Sequence, residues 1–342
     1  MKLTVKNIEK ETDDTVSVIF KNGGLFNKIK YLPGQFVTLH FKVDNKIHKR
    51  AYSFSSNPYT DNEPKVTVKR VDNGLISNYI HDSLKIGDKL EIDKPDGSFF
   101  VKPEKNQEST YVFFAGGSGI TPIFSIIKSV LTKEPKSKIV LVYANRNTNA
   151  IIFKTEIEEL LQNFKDRFSV EFLISKEAPK LDNYHKGLIT EALVMDVMEK
   201  HSLDFKSCQY MICGPFGFME ASKSILLVNK VSSSKIKEEL FKRPDKVVVK
   251  SGLQSKVQIQ LNGKSHELLM ENDTTILQAA MANNIDMPYS CRSGMCSTCL
   301  ATCQTGEITM TEGHFLDQKD VDAGKILTCV SYPASENVII EI

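Results

Sequence analysis

Four cysteines carry the most distinctive chemistry in this 342-residue chain. Cys291, Cys296 and Cys299 are spaced C-x4-C-x2-C, and Cys329 follows thirty positions after Cys299. Four thiolates at this spacing are the ligand set of a [2Fe–2S] cluster, a one-electron carrier. The intervening residues suit that task. Ser293, Gly294, Ser297 and Thr298 are small enough to let backbone N–H groups turn toward anionic sulfurs, and such hydrogen bonds help set the potential. A zinc site is the competing reading, but structural zinc favours paired C-x2-C knuckles and Cys329 has no partner knuckle. Cys208 and Cys303 fit no ligand slot.

Other segments carry groups that bind phosphates and ring cofactors. Arg50-Ala51-Tyr52-Ser53, read as the start of a strand, offers a cation for a flavin phosphate, an aromatic edge for the isoalloxazine and a hydroxyl for its reactive nitrogen. Strict alternation puts Arg50 and Ser53 on opposite faces, so a bulge or twist is expected; an exposed edge strand would read the same way. Gly74-Leu75-Ile76-Ser77 opens a helix whose free N–H groups suit phosphate, though a plain turn and cap has the same pattern. Gly116-Gly117-Ser118-Gly119-Ile120-Thr121-Pro122 lies between a strand and a helix, the phosphate-binding position of a dinucleotide fold. Pro122 replaces the last glycine of G-x-G-x-x-G, and proline is well suited to a first helical turn. Cys213-Gly214-Pro215 follows a later strand of the same sheet, at the edge where ligands bind, so Thr121 and Cys213 are candidates to line a nicotinamide. Arg146 after the second strand, with Ser175 and Lys176 after the third, offers a cationic, hydroxyl-bearing pocket for a 2′-phosphate. No acid ends the second strand, which favours NADPH over NADH.

The elements that must position these groups fall into three patterns. Residues 1–104 alternate in short β-rich runs such as Gln35–Phe41 and Lys65–Lys69, separated by Asn22-Gly23-Gly24, Pro33-Gly34, Asp72-Asn73-Gly74 and Asp96-Gly97. That rhythm predicts a small antiparallel barrel, interrupted by one helix over 75–84. Over 105–241, apolar runs at 111–115, 139–143, 170–174 and 210–213 alternate with helix-period segments near 122–132, 154–164, 189–200 and 217–229. Buried strands alternating with helices predict an α/β domain with a parallel sheet. The polar stretch from Ser232, and above all 242–249, reads as a linker. Residues 250–342 open with a hairpin signal at Asn262-Gly263 and a helix from Thr275 to about Asn283, ahead of the cysteine loop.

Composition narrows the classes. Hydrophobic residues are 41% and charged residues 25%, with a formal charge of +2, which excludes a disordered chain and argues against nucleic acid as a partner. The charge is unevenly spread: 250–342 carries a net of −5 against +7 for the first 249 residues, so the acidic domain is expected to dock on a basic surface. No integral membrane segment is expected, since no run of about 18 apolar residues occurs. Met1–Asn7 has no apolar signal core, and five cysteines crowded between 291 and 329 read as metal ligation in a reducing, cytoplasmic compartment. The seven histidines show no ligand spacing and read as surface or packing residues.

The cysteine loop closely resembles that of plant-type ferredoxins over about 250–342, which implies an α+β β-grasp fold with Cys291, Cys296, Cys299 and Cys329 as ligands. Residues 1 to about 241 resemble the ferredoxin–NADP reductase superfamily on Arg50–Ser53, Gly74–Ser77, Gly116–Pro122 and Cys213–Pro215. The order of domains resembles the reductase components of multicomponent oxygenases, the phenylacetyl-CoA epoxidase reductases among them. The resemblance implies FAD in the barrel, with FMN the less favoured alternative. Ser55-Ser56-Asn57-Pro58-Tyr59 is a candidate to stack adenine, and Phe241, ending an acidic and aromatic segment, a candidate to cover the flavin or to plug the domain junction. It also implies an enzyme in which NADPH or NADH reduces the flavin, held by Arg50, Tyr52 and Ser53, with Ser53, Thr121 and Cys213 as catalytic candidates. Electrons then pass singly to the cluster and on to an oxygenase, a desaturase or a similar protein acceptor. Two other readings stay open: a redox-sensing or binding module, and a flavin reductase in which the ferredoxin domain only tethers.

Overall fold

In the computed structural model, which describes residues 1–22, 29–241, 252, 254–311 and 313–342, the chain divides into two units, Met1–Phe241 and Lys242–Ile342. The stretch 242–249, expected as a linker, lies outside the described residues. Alternation and turn chemistry build the first part of the larger unit. In spatial order, the strands Lys46–Ser53, Phe36–Val43, Lys89–Ile92, Lys2–Thr12, Thr15–Phe20 and Lys65–Lys69 form one antiparallel sheet. A bridge between Phe54 and Val66 joins its two outer strands and closes it into the expected barrel. Val5, Val18, Leu39, Phe41, Val66 and Val68 fill the interior from alternate positions. The hairpin Phe36–Ser53 turns on Asp44 and Asn45, both left-handed at φ 49° and 59°, a two-residue turn whose twist matches that of its strands.

Two expectations fail here. Arg50–Ser53 occupies the end of its strand, not the start, and the pairing from Phe36–Ser53 to Val43–Lys46 runs without a register shift. No bulge forms because none is needed: Arg50 and Tyr52, two apart, share a face, and Ser53 turns to the other as the chain leaves the strand.

The parallel sheet follows in the order Tyr184–Lys186, Phe168–Ile174, Lys138–Asn145, Thr110–Gly116, Gln209–Cys213, Ile236–Glu239. Its central strands are apolar on both faces because helices cover both. Phe113, Leu141 and Tyr143 pack on one face with helix Ile120–Lys133. Val112, Phe114, Val142 and Ile212 pack on the other with helices Glu191–Lys200 and Phe216–Val228. From Thr110–Gly116 the chain steps outward three times, then crosses back to lay Gln209–Cys213 on the other side. The carboxyl ends of these two strands therefore form a topological switch point, where open α/β sheets bind ligands. The polar run from Ser232 is not the start of a linker: it turns once over Ser233–Lys235 and continues as the edge strand Ile236–Glu239. Tyr184–Lys186, three residues with only a weak β signal of their own, forms the opposite edge.

The smaller unit is a five-stranded mixed sheet in the order Lys264–Glu271, Gln254–Leu261, Asn337–Glu341, Leu300–Thr305, Lys325–Leu327, with helix Ile276–Ala282 packed into the same core, the β-grasp arrangement. Its first hairpin turns on Asn262 and Gly263, both at positive φ, as their sequence predicts. Thr275 caps the helix in a reciprocal box with Gln278.

Candidate active site

At the switch point two loops meet backbone to backbone. A Cβ on Gly119 would stand 2.1 Å from the Cys213 carbonyl oxygen, and one on Gly116 would stand 2.6 Å from Pro215 Cδ, so only glycine permits the approach. Gly117 is left-handed at φ 50°. Helix Ile120–Lys133 starts directly from this turn with Pro122 buried in its first turn and no side chain capping it; the Thr121 hydroxyl donates back to the Ser118 carbonyl at 3.1 Å. By contrast, helices Glu191–Lys200 and Ile276–Ala282 are capped by threonine hydroxyls. A glycine start without a side-chain cap leaves first-turn N–H groups available to an anion. Helix Leu75–Asp82 begins the same way at Gly74, with Ile76 buried behind it. The Ser77 hydroxyl is engaged locally, donating to the Gly74 carbonyl and accepting from the Val71 N–H.

The barrel and the sheet meet at a bond the sequence did not announce. Ser53 Oγ donates to Glu239 Oε2 at 3.2 Å, and both residues are 5% exposed. Glu239 ends its strand directly opposite Cys213. Burial pushes the wholly buried Cys213 thiol well up, and the Glu239 carboxylate pushes it further. A hydroxyl, a carboxylate and a protonated thiol thus converge where the barrel strand ends and the sheet presents its carboxyl edge. Glu239 was legible only as one acid in the segment ending at Phe241; its neighbour Glu238 instead pairs with Lys223 at 2.7 Å. Phe241, two residues on, is 42% exposed. Tyr52 packs against the barrel core, where burial raises its phenol, and Arg50 Nη1 donates to the Lys49 carbonyl at 2.7 Å.

The remaining candidates separate cleanly. Arg146, Ser175 and Lys176 are exposed and brought together: the Lys176 N–H donates to the Arg146 carbonyl at 3.1 Å, and the Ser175 N–H to that of Asn145 at 3.0 Å. Ser55–Tyr59 is spent on the seam between barrel and sheet. Ser125 Oγ donates to the Ser56 carbonyl at 2.6 Å and Ser129 Oγ to Asn57 Oδ1 at 3.1 Å, while Lys133 Nζ lies over the Tyr59 ring. Two histidines read as packing residues belong to an ion cluster: His185 and His201 both donate through Nε2 to Glu171 at 2.8 Å, beside Lys200 at 2.9 Å.

In the smaller unit the four cysteines pair. Cys296 is hydrogen-bonded to Cys291, and that bond lowers the Cys291 thiol against burial, with help from the Ser293 side chain and the Ser293 and Met295 N–H groups. Cys299 is likewise lowered by its bond with Cys329, and the thiols of Cys296 and Cys329 are raised in turn. Arg292 and Gly294, at φ 58° and 76°, bend the loop, and the Phe315 N–H ties it down at the Gly294 carbonyl. Two pairs of thiols fit a cluster in which each iron takes two protein ligands. Among the described residues no three His, Cys, Asp or Glu side chains gather round a single ion position. Cys208 is buried in the sheet core, and the Cys303 thiol points to the Thr305 carbonyl.

Comparison with known proteins agrees with this division. Residues 2–101 match the oxidoreductase FAD-binding domain, 113–224 the oxidoreductase NAD-binding domain and 259–334 the 2Fe-2S iron-sulfur cluster binding domain. The chain is 33% identical to the ferredoxin reductase component of 3-ketosteroid-9-alpha-monooxygenase from Rhodococcus rhodochrous, over 99% of this chain and 96% of that protein. It is 30% identical to a component of the 1,2-phenylacetyl-CoA epoxidase of Escherichia coli strain K12, over 99% and 96%. Phthalate dioxygenase reductase shares the fold, with a TM-score of 0.65 at 21% identity over 100% of this chain and 98% of that one.

Proposed function

Because the chain belongs to the family of ferredoxin reductase components that join FAD-, NAD- and [2Fe–2S]-binding domains, we propose that it draws electrons from NADPH and passes them to the oxygenase component of a multicomponent monooxygenase. It is an NAD(P)H-dependent oxidoreductase that uses FAD and a [2Fe–2S] cluster. When bound, the flavin accepts two electrons from a nicotinamide and releases them singly to a cluster that carries one at a time.

The observation that carries the reading is the bond between Ser53 and Glu239 beside Cys213. It joins the strand bearing Arg50 and Tyr52 to the edge where Gly116–Thr121 and Gly214 form a phosphate cradle. In this reading the Glu239 carboxylate orients the Ser53 hydroxyl toward the flavin ring. Arg50 and the N–H groups that follow Gly74 hold the flavin phosphates, and Tyr52 packs along the ring. Thr121, Gly214 and Pro215 border the nicotinamide, over the protonated Cys213 thiol, and Phe241 covers the flavin when no nucleotide is seated. Arg146, Ser175 and Lys176 take the 2′-phosphate, and Cys291, Cys296, Cys299 and Cys329 take the two irons. The boundaries 1–104, 105–241 and 250–342 serve as working domain limits. The net charge of −5 over 250–342 suits a basic acceptor, so reduction of the partner should slow as salt rises. No helix among the described residues is long and apolar enough to cross a membrane; the crowded thiols support a cytoplasmic location.

The visible spectrum of the purified protein, with iron and flavin analysis and separate titrations by NADPH and NADH, tests the reading. A zinc-loaded or colourless protein would refute it. Replacing Arg146 and Lys176 together by alanine should raise the KM for NADPH about tenfold or more while sparing NADH, the scale of one or two charge-assisted hydrogen bonds. Equal effects on both nucleotides would remove the case for NADPH.

A further inference from the structure

Tyr143 is fully buried in the α/β core on strand Lys138–Asn145 and has no role in the chemistry described so far. Its hydroxyl makes two bonds at 3.2 Å, donating to the Gly117 carbonyl and accepting from the Ile152 N–H. The Gly117 carbonyl also accepts from the Ile120 N–H as the helix begins. In a trans peptide the carbonyl and the following N–H point in opposite directions. With the Gly117 carbonyl drawn toward Tyr143 in the core, the Ser118 N–H is turned away from the core, at the carboxyl edge of the sheet.

That peptide needs a pin. Gly117 is left-handed at φ 50°, and nothing lies within 4 Å of where its Cβ would be, so side-chain crowding does not hold it. Gly119 is fixed from the other flank by the Cys213 carbonyl, which leaves the peptide between Gly117 and Ser118 governed by the bonds to its own oxygen. The second bond, to Ile152, reaches the segment that follows Arg146, so one hydroxyl links the loops after the first two strands.

We propose that Tyr143 is a positioning residue for the nucleotide: its hydroxyl sets the Gly117–Ser118 peptide so that the Ser118 N–H meets the pyrophosphate, and it keeps that loop in register with the segment 146–152. The inference rests on reading Gly116–Thr121 as the pyrophosphate loop. Burial holds the phenol well above its ordinary range, so the hydroxyl remains a donor at any working pH.

The test compares Tyr143→Phe and Gly117→Val in the full chain with both cofactors loaded, measuring NADP⁺ affinity of the oxidised protein by calorimetry alongside KM, kcat, flavin content and melting temperature. Tyr143→Phe, which deletes one hydroxyl, should weaken NADP⁺ binding about three- to tenfold, the range of a single net hydrogen bond, with KM rising in parallel and flavin content unchanged. Gly117→Val puts a β-branched residue at positive φ and should weaken binding further. If Gly117→Val weakens binding and Tyr143→Phe does not, the pin is refuted and the loop stands. If neither weakens it, the loop reading falls and takes the pin with it. Loss of flavin or of folding in Tyr143→Phe, with NADP⁺ affinity intact in the folded fraction, would mean that the hydroxyl serves only the core and would overturn the positioning role.

Discussion

Replacing Glu171 by Gln should remove a measurable share of the stability of the larger unit, and remove it in a pH window set by the sheet. The Glu171 side chain is 2% exposed, and burial alone would raise its carboxyl. Hydrogen bonds from His201, Lys200 and His185 outweigh burial and hold it at about 2 against an ordinary 4.5. At about 1.4 kcal/mol for each tenfold change in proton affinity, that depression is worth about 3 kcal/mol of folding stability. The sign follows from where the proton prefers to bind. The unfolded chain takes it first, so the contribution is complete above about pH 5 and drains away as pH falls toward 2. Gln keeps the shape and one acceptor oxygen, which makes 3 kcal/mol an upper value for the loss at pH 7. Urea unfolding of the full chain, followed by flavin fluorescence from pH 7 down to pH 3, measures both quantities. The variant should unfold at lower urea at pH 7 and lose less stability on acidification than the parent. An unchanged midpoint at pH 7, or an acid slope equal to the parent's, would refute the reasoning.

Four more outcomes follow from the sites. Cys296→Ser should abolish the cluster's visible absorbance and cytochrome c reduction while leaving ferricyanide reduction through the flavin; retained cytochrome c reduction would favour a tethering role for the ferredoxin domain. Ser53→Ala should slow flavin reduction by NADPH in stopped flow by about 10- to 100-fold, the loss of one oriented hydroxyl, with flavin still bound. Glu239→Gln should fall short of that, because the amide still accepts from Ser53. Gly119→Ala should cost nucleotide affinity more than tenfold by equilibrium titration, because its Cβ would stand 2.1 Å from the Cys213 carbonyl and force the two loops apart.

The spacing of Cys291, Cys296 and Cys299 is a property of a short loop, so the cysteine motif was legible in the chain, as were the glycine turn at 116–119 and the Asn262-Gly263 hairpin, whose conformations are local. The apolar runs at 111–115 and 139–143 announced a covered parallel sheet because burial on both faces erases alternation. What stayed hidden was set by distant packing. Tyr184–Lys186 and Ile236–Glu239 carry weak β signals and become strands only because a sheet edge offers them partners. Glu239 and Ser53 are 186 residues apart and meet only once the barrel and the sheet are joined. Glu171 and its two histidines resemble ordinary surface residues until the fold buries the acid between them. Local rules govern which groups a loop can present, whereas the partner of a buried charge depends on which elements pack against it, and that is decided only in three dimensions.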